Sequence, residues 1–186
     1  MSIQGDHATS KSGFFRGVIK IAIFVAIVLV LSRLIATFVA ATYYIPSGSM
    51  ETTVMTGDMV YGEKVSYKFS EPQRGDIIVF EDKNRENYLL LKRVVATAGQ
   101  TVDFKDGKLV VDGNEVEEEY THGLPSEPLS NSNLTFPYKV EEGCVFVMGD
   151  NRTNSQDSRY FGSVEISKVE ARAFLVFWPL NHFHMV

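Results

Sequence analysis

The chain has 186 residues, a single cysteine and a net charge of −5. One cysteine excludes an intramolecular disulfide and a cysteine-rich zinc site, and no clustered basic face of the kind that binds nucleic acid stands out. The charge is uneven: residues 1–41 carry Lys11, Arg16, Lys20 and Arg33 against Asp6, a net of +3, and the remainder carries −8.

Val18 to Ala41 is apolar apart from Lys20, Ser32, Arg33 and Thr37. As a helix this run spans about 36 Å, enough for a hydrocarbon core of ~30 Å. Lys20 can snorkel from near one end, and Arg33 is expected toward the outer interface, where Thr42-Tyr43-Tyr44 supplies an aromatic anchor. Val39-Ala40-Ala41 also fits a signal-peptide cleavage site, but the run exceeds the roughly 7–15 residues of a cleavable signal, which favours a retained anchor. The positive-inside rule then gives a single pass: 1–17 cytoplasmic, 18–41 membrane-spanning and 42–186 extracytoplasmic.

Beyond the anchor, short runs of β-branched, aromatic and leucine residues alternate with turn signals, which predicts a mainly β domain. Strands are expected at Ile77–Phe80, Tyr88–Val95, Lys108–Val111, Val145–Met148 and Ala173–Trp178. Asp106-Gly107 and Asp112-Gly113-Asn114 bracket one of them, as in a hairpin or small meander. Residues 117–139 lack periodicity and carry Pro125, Pro128 and Pro137, so an irregular excursion is expected within an insertion of about 103–143. Glu115 to Glu119 reads as a solvated edge, Cys144 as a small core residue, and the tail with His182 and His184 as frayed.

Directly after the anchor stands Pro46-Ser47-Gly48-Ser49-Met50. A serine nucleophile needs a base, and histidine is the usual one. His7 precedes the anchor, His122 lies in the excursion, and His182 and His184 lie in the tail; a two-histidine metal site there is the weaker reading beside a solvated terminus. The other base is a lysine neutralised by burial. Lys92 is the candidate, because alternation places it on one strand face with Tyr88, Leu90 and Val94, and desolvation lowers a lysine pKa. An exposed strand end bearing two charges fits the same residues. Arg93 cannot deprotonate. The polar block Gly149–Gly162 reads equally as a surface loop or as a source of supporting groups, with a serine to orient the amine and Asp157 paired to an arginine.

In order and spacing, four segments resemble bacterial type I signal peptidases: Pro46-Ser47-Gly48-Ser49-Met50, Arg74 to Phe80, Lys92-Arg93-Val94-Val95, and Gly149–Gly162. The resemblance implies a membrane-anchored Ser-Lys endopeptidase of signal-peptidase-type β-fold that removes signal peptides from exported preproteins, without metal or other cofactor. By motif position it implies Ser49 as nucleophile and Lys92 as general base. Ser47 would help form the oxyanion hole, Ser155 would orient the lysine, and Asp157 and Arg159 would form a supporting ion pair. Ile45, Pro46, Met50, Leu90 and Leu91 are expected to line shallow pockets for small residues before the cut, next to the bilayer. Two positions depart from the family pattern: Thr52 stands where a proline is usual, and Gln100 where an aspartate is common. The competing readings are a specialised relative acting on a narrow, pilin-like substrate set, and a catalytically silent membrane-anchored scaffold.

Overall fold

The computed structural model describes residues 8–82, 85 and 88–186, with side chains from residue 13 onward. The cytoplasmic reading of 1–17 and the placement of His7 therefore fall partly or wholly outside the described residues. The chain forms two compact units, Met1–Val39 and Ala40–Val186.

The first unit is one helix, α1 (Ala8–Phe38), and Gly13–Phe38 within it is long and apolar enough to cross a membrane. Its ends differ from the expected 18–41. Ala40 and Ala41 are not helical; they open strand β1 (Ala40–Tyr44), opposite Glu63 and Gly62 of β2 (Met59–Glu63). Apolarity extended the anchor too far. Alanine suits either state, and a β-prone Thr-Tyr-Tyr run with a waiting partner strand decides the matter. Arg33 sits five residues, about 7.5 Å, from the end of α1, within snorkelling reach of it.

The second unit is mainly β. Its remaining strands are β3 (Ile77–Glu81), β4 (Leu89–Thr97), β5 (Thr101–Lys105), β6 (Lys108–Val111), β7 (Asn114–Glu115), β8 (Tyr138–Lys139), β9 (Cys144–Met148), β10 (Val164–Glu165), β11 (Val169–Trp178) and β12 (His184–Met185). The larger antiparallel sheet runs β1-β2-β11-β3-β4-β9-β10, with β12 paired to β11. The smaller sheet, β7-β6-β5-β8, is the meander that the Asp-Gly pairs signal. At both turns, Asp106-Gly107 and Asp112-Gly113, the two residues have positive φ, the geometry that glycine supplies and aspartate tolerates.

Three clusters fill the core. Ile45, Met50, Val54, Val60, Ile77, Val79 and Leu91 pack on one side of the larger sheet, and Ile78, Phe80, Val94, Val145 and Val147 on the other. A third, with Val95, Val102, Leu109, Phe146 and the buried Cys144, joins β4 and β9 to the smaller sheet.

Two expectations fail here. The tail is not frayed: β12 pairs Met185 with Leu175 and His184 with Val176, and Val186 donates to Phe174 O. Nor is the acidic run wholly a solvated edge, because the Glu118 side chain is 7% exposed and forms an ion pair with fully buried Arg152. A partner distant in sequence is what local charge patterning cannot reveal.

Candidate active site

Gly48–Met50 forms a single 3-10 turn after the extended segment that ends at Ser47. Met50 nails the turn to the core, its side chain 1% exposed beside Ile45 and Leu91. Its carbonyl then accepts from Thr53 N and Val54 N. Ser49 is thereby held over β4, whose Lys92 lies opposite Ile78 of β3. The Lys92 side chain is 2% exposed, which rules out the exposed strand end. Its Nζ lies 2.7 Å from Ser49 Oγ and 2.9 Å from Leu91 O. A charged ammonium donates to the hydroxyl there, whereas a neutral amine can accept its proton.

Burial pushes the Lys92 amine down to about 8, against an opposing pull from the charges of Asp157 and Asp150. Desolvation penalises the ammonium more than these carboxylates stabilise it, because each carboxylate is already neutralised by an arginine. Arg93 Nε and Nη2 donate to Asp150 at 2.8 and 2.7 Å, and Arg159 Nε and Nη2 donate to Asp157 at 2.9 and 2.8 Å. All four side chains are nearly or fully buried.

The Gly149–Gly162 block is thus no surface loop. Asp157 caps α2 (Ser158–Phe161) by accepting from Arg159 N, and it also accepts from Gly149 N at 3.0 Å. Asn151 grips the nucleophile turn twice: its N–H donates to Ser49 O at 3.2 Å and its Nδ2 to Gly48 O at 2.9 Å. At Gly149 an added Cβ would collide with Ser49 O and with Ser155 Oγ, so only glycine permits this approach. Arg152 donates to Gly149 O and, bidentately, to Glu118 at 2.6 and 2.7 Å, with Ser126 Oγ on the same nitrogen. Tyr120, two residues on from Glu118, lies under the Arg93 guanidinium at 4.1 Å. The excursion is therefore tied to the site by charge.

One expected contact is missing. The two hydrogen bonds of Lys92 go to Ser49 and Leu91; Ser155 Oγ is buried and has no partner among the described residues. Ser155 lies against Gly149, and the amine donates to Leu91 O instead. Ser47 is exposed at the cleft rim with no side-chain cap bond, which leaves its hydroxyl available.

The cleft beside the pair has a volume of about 250 Å³. Thr42 to Ser47 and Met50 form one wall, and Tyr88 to Leu91 with Val79 form the other. Ile45, Pro46, Met50, Leu90 and Leu91 all line it, with Met50 and Ile45 as buried floor. The two departures are repaired locally. Thr52 Oγ1 donates to Tyr120 O at 2.8 Å, and Gln100 accepts from Thr97 N and donates to Asp112.

Arg93–Asp150, Glu118–Arg152 and the Asn151 grip were not anticipated from the sequence. An arginine beside a buried lysine needs a carboxylate of its own, and Asp150 supplies it to Arg93. His182 bonds Asp58 and His184 bonds Thr53 O, while His122 occupies a left-handed cap. Among the described residues no group of three or more His, Cys, Asp or Glu side chains is placed to hold a metal ion.

The family model for signal peptidase, peptidase S26, matches residues 17–178. A signal peptidase I of Leptolyngbya laminosa is 38% identical over 159 residues, 82% of this chain and 75% of that protein. One from Bacillus caldolyticus is 34% identical over 155 residues, 78% of this chain and 84% of its own. A solved signal peptidase I structure from Enterococcus faecalis V583 is 33% identical, covering 55% of this chain and 97% of that one, with a TM-score of 0.47.

Proposed function

Since the chain belongs to the peptidase S26 family of signal peptidases, serine peptidases that cleave signal peptides from preproteins, we propose that Ser49 and Lys92 carry that reaction. The observation that supports this most is the 2.7 Å contact between a serine hydroxyl and a buried amine whose pKa burial has lowered to about 8. The neutral amine takes the Ser49 proton as Oγ attacks the scissile carbonyl. Negative charge develops on the carbonyl oxygen, and the Ser47 hydroxyl with the Ser49 N–H are the donors we assign to it, each worth ~3 kcal/mol in such a hole. The resulting ammonium then gives its proton to the leaving amine, and the same amine activates water to hydrolyse the acyl ester.

Asp150, Asp157, Arg93 and Arg159 act at one remove. They fix the loop that grips Ser49, and as neutralised pairs they leave Lys92 free to lose its proton. Arg159 and Asp157 thus support the site rather than touch substrate.

The substrate enters as an extended strand. β4 pairs with β9 only from Arg93 onward, so Leu89–Leu91 keep an open edge, and β1 is an edge strand on the facing wall. A peptide between them satisfies both edges, the mode in which main chain gives affinity and alternate side chains give selectivity. Ile45, Met50 and Leu91 leave shallow room, which suits small residues before the cut.

Placement follows from charge and apolar surface. Lys11, Arg16 and Lys20 support a cytoplasmic start of α1, with the β unit on the far side of the cytoplasmic membrane. Tyr44 and Trp178, both register neighbours of Met59, together with Leu180, Phe183 and Met185, are exposed apolar groups that suit contact with lipid.

A rapid acid quench of enzyme and preprotein, followed by peptide mass mapping, tests the assignment. The signal-peptide acyl group is expected as an ester on Ser49; an acyl group on any other residue would refute it.

A further inference from the structure

The segment that follows Ser49 is held by residues from the far end of the chain. Asp58 is 1% exposed, and its two carboxylate oxygens have separate donors: Met55 N on Oδ2 at 2.8 Å and His182 Nδ1 on Oδ1 at 2.7 Å. The backbone of the same turn brackets Ile45, with Ile45 N donating to Asp58 O at 2.9 Å and Gly57 N to Ile45 O at 2.8 Å. Ile45 begins the extended run into the nucleophile turn. His184 reaches the other flank: its Nε2 lies 2.9 Å from Thr53 O, three residues from Met50, and its Nδ1 2.7 Å from His182 O. Thr53 itself donates to Asp150. The mount is rigid, since β12 is paired with β11 and Val186 packs against the cluster that contains Met50 and Ile45.

We propose that His182 and His184 are positioning residues for the reaction, forming a strap that ties both flanks of the Ser49 turn to β11. The inference rests on the reading of Ser49 as the nucleophile. Among the described residues Asp58 is the only charged side chain within ion-pair distance of either ring. Among the described residues its Oδ1 has no donor other than His182, so removing that ring leaves a buried carboxylate oxygen without that partner. The turn around Gly57 then loosens, and with it the bonds that set Ile45. The substrate walls from β4 are untouched. Ile45 lines the facing wall of the cleft, so the loss falls chiefly on turnover, through the Ser49 turn, with a smaller loss of binding.

The test uses the full chain in detergent with a preprotein substrate and three variants. His182→Ala removes the donor, His182→Phe keeps a ring without one, and His182→Asn places an amide N–H near the Nδ1 position. Expected are kcat values lowered roughly tenfold in the first two, with KM raised by no more than about threefold, and both close to wild type in the third. Amide exchange of residues 45–47 and 53–58 is expected to quicken in His182→Ala and His182→Phe but not in His182→Asn. Unchanged kcat and exchange in His182→Phe would overturn the proposal. So would a loss carried by KM alone, or one that His182→Asn shares. The exchange measurement reads the strap without any turnover, so an inactive wild type would refute the Ser49 reading and leave the strap separately decided.

Discussion

Replacing Lys92 by Met keeps the length and volume of a buried side chain and removes only the amine. An ordinary lysine titrates at 10.5, and burial lowers Lys92 to about 8. Below pH 8 the folded chain bears the whole cost of keeping a charged or discharged amine in the core. Between 8 and 10.5 the unfolded chain binds the proton that the folded chain has lost, so wild-type stability rises with pH across that window. Above 10.5 neither state is protonated and the cost is gone. The total is about 3 kcal/mol, which for a unit of this size is worth about 6–12 °C in Tm. Lys92→Met has no such dependence, and other titrations cancel in the difference. Guanidinium unfolding of both proteins in mild detergent, at intervals from pH 6.5 to 10.5, measures it. The stability gap in favour of Lys92→Met should hold steady to pH 8 and then narrow by about 3 kcal/mol. Curves that stay parallel to pH 10.5 would refute the argument that Lys92 is forced toward its neutral form.

Activity should follow the same group. kcat/KM is expected to rise with pH and level off above about 8, with about one enzyme in eleven carrying a neutral Lys92 at pH 7 and about one in a hundred at pH 6; a rate profile flat from 6 to 9 would contradict this. Arg159→Ala leaves Asp157 buried and unneutralised, so stability should fall by about 3–5 kcal/mol, and the activity limb should move to higher pH as the bare carboxylate holds the ammonium. Denaturation and a rate profile of that variant read both. Gly149→Ala drives a methyl group into Ser49 O; kcat should drop about a hundredfold, with the loss measured under saturating preprotein.

Much of this arrangement was legible in the residues, and the illegible part has a common cause. Lys108–Val111 between two Asp-Gly pairs announces its own strand and turns, because hairpin geometry is a local property. Lys92 stood out because its neighbours are apolar, yet its burial comes as much from β3 alongside and the Ser49 turn above as from its own strand face. Ala40 and Ala41 went to the wrong element because nothing local shows that β2 is waiting for them. Glu118 and His182 look solvated or passive from their neighbours, and Asn151 lies in a block that reads two ways; each is held by a partner that lies between 34 and 124 positions away. Ser155 is the reverse case. Its motif position implies a bond to Lys92, while the amine bonds Ser49 and Leu91 and Ser155 Oγ has no partner among the described residues. Long-range pairing, not propensity, decided each of these.

The central claim is that the Ser49 hydroxyl and the Lys92 amine together cut preproteins. Its most direct test is cleavage of one purified preprotein in liposomes by the full chain, by Ser49→Ala and by Lys92→Met, with unfolding curves run alongside. The wild type should make a single cut, and both folded variants should run at background rates. Substantial cleavage by either folded variant would contradict it.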